Sequence, residues 1–212
     1  MIKAVVFDVD GVLIDSFFAN LKFFQNLLVA IGYPPVTQEQ YKHLFHLTML
    51  DVIKMFAIGA SEERIQEIWE MGRTQRDKLY PVDLLKYPET LEETVRKLSK
   101  NYQLGIVTSR VHGSVFAFPQ LKDLENYFST VVYFEDTEKH KPDPEPLLLC
   151  AQRMNLDPSE MVYVGDAATD IQSARAAGMK IIEYSSNTTT VADGITSDFS
   201  QIPQVVKVVA NI

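Results

Sequence analysis

Cysteine is almost missing from this chain. Cys150 is the one example in 212 residues, so no intramolecular disulfide can form and a disulfide-stapled secreted scaffold is excluded. Long hydrophobic runs are missing too: no apolar stretch nears the roughly 20 residues that a membrane-spanning helix requires, and no membrane partner is expected. Met1 to Val6 carries one lysine and a short apolar run before acids intervene, which does not make a secretory leader. Positive charge is in deficit. Lys plus Arg number 20 against 28 for Asp plus Glu, a net charge of −8, and that balance repels a phosphate backbone and argues against nucleic acid as a partner. The expected setting is the cytoplasm. Disorder is excluded as well, because a composition of 46% hydrophobic, 10% aromatic and 23% charged residues is ordinary for a chain that builds a core. The sequence carries no signal of oligomeric state.

What is present is a change of texture along the chain. Ala4, Val5, Val6 and Phe7 form an apolar, partly β-branched run that ends in Asp8, Asp10 and Gly11, as a buried strand entering a loop does. Phe17, Leu21, Phe24, Leu28 and Ile31 then recur at spacings of 4 and 3, one face of a helix that Gly32 and Pro34-Pro35 stop. Asp15 and Ser16 read as its N-cap or as an entry linker. Further helices are predicted over 38–45, 50–57 and 62–79. After Tyr87-Pro88 a helical stripe of Leu91, Val95 and Leu98 gives way to alternating strands (104–107, 130–134, 161–164, 180–183) and helices (147–154 and 171–177, the latter closed by Gly178). Residues 185–190 read as a polar loop. Such alternation predicts a parallel sheet with helices on both faces. The predicted fold is therefore an α/β, doubly wound, Rossmann-like core of residues 1–15 and 83–212 carrying an inserted all-helical subdomain of residues 16–82.

Ligands in open α/β sheets bind beyond the carboxyl ends of the strands, and the residues expected there share one chemistry. The first strand ends in Asp8-Val9-Asp10-Gly11, the second in Thr108-Ser109-Arg110, Lys141 follows the third, and the fourth runs into Gly165-Asp166-Ala167-Ala168-Thr169-Asp170. Four acids, a hydroxyl and a lysine on one edge suit phosphoryl transfer. Clustered carboxylates repel one another unless a cation holds them, and a hard divalent ion, magnesium best of all, is the ordinary solution. A carboxylate can then attack phosphorus to give an aspartyl-phosphate, while the acid two residues on protonates the leaving oxygen and later activates water. Thr108 would donate to the transferring phosphoryl, Ser109 would add its backbone N–H, and Lys141 would supply positive charge.

At these residues the chain resembles the haloacid dehalogenase (HAD) superfamily, over nearly its whole length. The four motifs are Asp8-Val9-Asp10-Gly11-Val12-Leu13-Ile14-Asp15-Ser16, Gly105-Ile106-Val107-Thr108-Ser109, His140-Lys141-Pro142-Asp143-Pro144-Glu145-Pro146, and Val164-Gly165-Asp166 with Asp170. The resemblance implies Asp8 as nucleophile and magnesium ligand, and Asp10 as acid/base that also offers its backbone carbonyl to the metal. It implies Asp166 as a further ligand, with Asp170 behind it or bridged by water. Asp10, Gly11, Thr108, Ser109 and Lys141 would hold the phosphate. It also implies that the helical insertion is a cap closing over a small phosphorylated substrate. The subgroup most similar contains phosphoglycolate phosphatase-like hydrolases, pyrophosphatases and β-phosphoglucomutases.

Taken singly, each of these residues has a plainer reading: Asp170 as a helix-start acid, Lys141 as a loop charge, and the cap candidates His46 and Arg73 as solvated positions. Order and spacing together carry the catalytic reading. Arg110 and His112, just past the second motif, are placed to flank the phosphate, although the resemblance does not require them. A sugar phosphomutase is the alternative, weakened by Met49 where those mutases carry a basic residue; a catalytically silent binding relative is the other. A dehalogenase is disfavoured because Asp10 is present.

Overall fold

A computed structural model of the chain describes residues 1–45, 47–186 and 192–211. The cap candidate His46 and residues 187–190 of the expected polar loop lie outside the described residues. The chain divides into two compact units, Ser16–Lys86, and Met1–Asp15 together with Tyr87–Ile212.

The unit Ser16–Lys86 is helical: α1 (Phe17–Ala30), α2 (Gln38–Lys42), α3 (Met49–Phe56), α4 (Glu62–Thr74) and α5 (Arg76–Leu79). Helix α1 buries Leu21, Phe24 and Leu28 of the predicted stripe and adds Ala19, Phe23 and Leu27. Ser16 does not cap it; its hydroxyl instead accepts a bond from the Asn20 amide at 3.2 Å. Reciprocal capping boxes, Thr37 with Gln40 and Thr48 with Asp51, start α2 and α3 by satisfying amides that lack helical partners. The single helix expected over 62–79 is broken at Gln75, whose φ of −103° and ψ of 20° leave the helical region. The rings of Phe23, Phe24 and Tyr41 pack with centroids 5.2 and 5.4 Å apart. A short turn at Val82–Leu84 carries the unit past 82, the end expected from the sequence, to Lys86.

The other unit runs β1 (Ala4–Phe7), α6 (Leu91–Ser99), β2 (Gln103–Val107), α7 (Pro119–Lys122), β3 (Phe128–Val132), α8 (Glu145–Met154), β4 (Met161–Gly165), α9 (Ala168–Ala177), β5 (Lys180–Tyr184), β6 (Gly194–Thr196) and α10 (Ile202–Val209). The strands form one sheet of order β3-β2-β1-β4-β5-β6, parallel at every pairing. Strand β1 lies inside it, and all of Ala4, Val5, Val6 and Phe7 are fully buried, which is why it reads as an unbroken apolar run rather than an alternating one. Ala4 and Val6 join the cluster built by Leu147, Cys150 and Ala174 of α8 and α9. Phe7 points the other way, to Phe128 and Phe199. The doubly wound α/β prediction is thus met. Strand β3 begins and ends two residues earlier than expected; at its end Tyr133 donates its amide to Asp136 Oδ2 at 2.8 Å, turning the chain out of the ladder.

Phe7 stands opposite Ile106 on one side and Val164 on the other. This register brings the ends of β2, β1 and β4 level, so the loops after Val107, Phe7 and Gly165 leave from one edge. Among the described residues no helix is long and apolar enough to cross a membrane.

Candidate active site

Asp8 is the first residue beyond β1, at the middle of that edge. Its amide donates to Val164 O at 2.9 Å, its Oδ1 accepts from Val9 N at 2.7 Å, and its Oδ2 lies 3.1 Å from Lys141 Nζ. Thr108 occupies the neighbouring position beyond β2, held by its amide to Val132 O at 3.0 Å. Two glycines let the flanking loops close in. A Cβ on Gly11, whose φ is +80°, would sit 2.0 Å from Asp166 Oδ2, and one on Gly165 would sit 2.4 Å from Asp170 Cβ. No side chain fits at either position, which gives the glycines of the first and fourth motifs a physical reason.

Behind Asp8 lies a saturated network. Asp170 is fully buried; its Oδ1 accepts from Lys141 Nζ at 2.7 Å and from the Tyr163 hydroxyl at 3.2 Å. Its Oδ2 accepts from the amides of Asp166 and Ala167 at 3.2 and 3.1 Å. Protein donors therefore reach both oxygens, and Asp170 fastens the loop that carries Asp166. The Tyr163 hydroxyl, 3.1 Å from Val107 O, accepts from Lys141 Nζ at 3.0 Å. Burial, reinforced by the charges of Asp170 and Asp8, pushes the Tyr163 phenol well above its ordinary value, so it stays a neutral donor.

The electrostatics of this cluster fit a divalent cation. Carboxylate oxygens of Asp8, Asp166 and Asp170 lie within 4.8 Å of one another, against one ammonium, Lys141. Burial opposes the charge on Lys141, but the carboxylates of Asp170 and Asp8 outweigh it and hold the ammonium above its usual value. The acids carry the imbalance. Burial, tempered by Lys141 and aggravated by Asp170 and Asp10, raises Asp8 to about 7; burial, then repulsion from Asp8 and Asp170, raises Asp166 to about 8. Three carboxylates less one ammonium leave two negative charges, the deficit that a doubly charged ion with oxygen ligands cancels.

A pH dependence follows. Both acids bind protons more tightly in the metal-free fold than in the unfolded chain, so metal-free stability falls as pH rises above the ordinary value of 3.8 and levels off above about 8. Thermal melts with chelator and with millimolar magnesium are expected to diverge as pH rises across that window. A gap that stays constant with pH contradicts the assignment.

The other predicted residues divide. Ser109 is half-buried beside Thr108. The Asp10 carboxylate is taken by Arg110, at 2.7 and 2.6 Å. His112 is turned onto Asp136, 3.2 Å away. Arg73 belongs to the helical unit, where it pairs with Glu70 at 2.8 Å and lies over the Trp69 ring; its contacts there are those of a solvated helix face. The structure thus gathers Asp8, Gly11, Lys141, Asp166 and Asp170 into direct contact, with Thr108 alongside. Sequence reasoning missed Tyr163, hidden as one more apolar-looking strand residue. Arg110, read from the sequence as flanking the phosphate, instead has its guanidinium on the Asp10 carboxylate.

Comparison with known proteins agrees with this geometry. A family model described as haloacid dehalogenase-like hydrolase matches residues 5–184. The pyrophosphatase PpaX of Bacillus pumilus is 31% identical over 180 residues, spanning 84% of this chain and 81% of that protein. The phosphoglycolate phosphatase of Escherichia coli is 32% identical over 203 residues, spanning 84% of this chain and 79% of that protein. The crystal structure of a HAD-superfamily hydrolase of subfamily IA from Geobacter sulfurreducens, 30% identical, superposes with a TM-score of 0.71 over 97% of this chain and 96% of that one.

Proposed function

The chain belongs to the haloacid dehalogenase-like hydrolases, and from that premise we propose that it is a magnesium-dependent phosphatase of small phosphorylated metabolites, working through an aspartyl-phosphate on Asp8. The observation that carries this reading is the Asp8 carboxylate: central on the sheet edge, 3.1 Å from Lys141 Nζ and grouped with the oxygens of Asp166 and Asp170. The relatives named as a pyrophosphatase and a phosphoglycolate phosphatase support the same chemistry.

Asp8 and Asp166, with the backbone carbonyl of Asp10, would hold magnesium, which when bound offsets the repulsion between carboxylate and phosphate. Lys141 and Thr108 face the incoming phosphoryl oxygens, the one with charge and the other with a hydroxyl donor. Asp8 attacks phosphorus in line. An Asp8 O–P bond forms as the bond to the leaving oxygen breaks, and a proton passes from the Asp10 carboxyl to that oxygen. Water then attacks the same phosphorus, giving its proton to Asp10; the Asp8 O–P bond breaks and inorganic phosphate leaves. The helical unit Ser16–Lys86 is the cap in this reading, excluding bulk water and choosing the substrate. The complete set of acids, hydroxyl and lysine speaks against a silent relative.

The test is release of inorganic phosphate from a panel containing pyrophosphate, phosphoglycolate, sugar phosphates and nucleotides, with magnesium and with chelator. At least one compound is expected to turn over only with the metal. Conversion of a sugar phosphate into its isomer without net phosphate release would favour the mutase instead, and no turnover of any kind would overturn the reading.

A further inference from the structure

Asp10 is not left to choose its own orientation. Arg110 reaches it with a two-pronged contact, Nε to Oδ2 at 2.7 Å and Nη2 to Oδ1 at 2.6 Å. The Arg110 side chain is 7% exposed against 22% for Asp10, so the guanidinium is the fixed member of the pair. Its fixing is visible on three sides. The guanidinium lies over the Phe118 ring at 4.9 Å, the Arg110 amide donates to Thr108 Oγ1 at 3.2 Å, and the Arg110 carbonyl accepts from Phe134 N at 2.9 Å. The same backbone that presents Thr108 therefore anchors the group that aims Asp10.

We propose that Arg110 is a positioning residue for Asp10, holding the plane of its carboxylate so that the oxygen facing the substrate meets the leaving group. This rests on the reading of Asp10 as the proton-transferring acid. A carboxylate has about four lone-pair sites, and the fork takes one on each oxygen. A planar guanidinium fixes both the position and the tilt of a carboxylate, whereas an ammonium supplies charge without orientation. Misaiming a proton donor by a fraction of its hydrogen-bond length costs rate without costing substrate affinity.

The test compares two monoesters that differ in how much their leaving oxygen needs a proton. An alkyl monoester that the protein hydrolyses departs as an alkoxide, so its phosphoryl transfer to Asp8 depends on the acid; 4-nitrophenyl phosphate departs as a stabilised phenolate and depends on it little in that step. Because hydrolysis of the aspartyl-phosphate needs Asp10 with either ester, the comparison is made on the first step by single-turnover kinetics. Arg110→Ala is expected to lower the single-turnover rate of phosphoryl transfer about 10²-fold with the alkyl ester but only about threefold with 4-nitrophenyl phosphate. Arg110→Lys, which keeps the charge and the packing on Phe118, recovers part of the loss and supplies the same comparison should the alanine variant not fold. In the Asp10→Asn background, Arg110→Ala is expected to cost nothing further. Equal losses on both esters, or losses that multiply with Asp10→Asn, overturn the proposal and make Arg110 merely structural. Near-normal rates in Asp10→Asn alone would instead overturn the role given to Asp10.

Discussion

Asp8→Asn protein is expected to fold, to melt at or above the wild-type temperature, and to release no phosphate from any ester on which the native protein acts. The loss is complete because the amide cannot act as the nucleophile, and no second carboxylate occupies the same place. Asp166 belongs to the loop after β4, and Asp170 has both oxygens held by protein donors. Stability is expected to hold or rise because burial already pushes the Asp8 carboxyl up to about 7, so a neutral group there removes repulsion that the native metal-free site carries. Phosphate release and a thermal melt on one sample decide the matter. Magnesium-dependent turnover persisting in this variant would exclude Asp8 as the nucleophile.

Lys141→Ala is expected to damage rate and stability together. The ammonium has three protons to donate, and its neighbours are Asp8 Oδ2 at 3.1 Å, Asp170 Oδ1 at 2.7 Å and the Tyr163 hydroxyl at 3.0 Å. Its side chain is 7% exposed and that of Asp170 only 1%. Removing one partner of a buried pair leaves an uncompensated charge and typically costs about 3–5 kcal/mol, read as a lower urea midpoint. Loss of an oriented charge on the phosphoryl group costs a further factor of about 10²–10³ in kcat. Arginine is not expected to rescue either quantity, since a planar fork cannot reproduce three donors diverging from a single nitrogen. An unaltered urea midpoint would mean that the ammonium contributes nothing net where it stands.

How much of this was readable beforehand follows from what kind of information each feature carries. The strands β1, β4 and β5 announce themselves by apolar runs ending in glycine or acids, and β2 by one that ends in the hydroxyls of Thr108-Ser109, so the edge they form could be drawn from alternation alone. Asp8, Thr108 and Asp166 were legible because each sits at a strand end, where chain order maps onto space, and Lys141, in the loop between β3 and α8, through the prolines at 142, 144 and 146 that flank it. Arg110 and Asp10 were not legible as a pair: they are 100 residues apart, and nothing local in either segment reports the other. Tyr163 was hidden for a different reason, since a tyrosine in a buried strand obeys the same periodicity whether its hydroxyl is idle or shared with Lys141 and Asp170. Strand β6, only three residues long, is too short for any pattern to establish itself. The break of the predicted 62–79 helix at Gln75 depends on a single residue's backbone angles, which amphipathic spacing does not encode.

The interior place of β1 also bears on how the protein comes into being at the ribosome. Phe7 needs both Ile106 and Val164 as neighbours, so this segment, synthesised ahead of both partners, waits for them before its ladder closes on both sides. Throughout that wait Ala4 to Phe7, wholly buried at the end, is an apolar, half-paired template of the kind that invites intermolecular association. Closure of the strand that carries Asp8 is therefore a long-range event, and its rate is expected to follow sequence separation rather than local propensity.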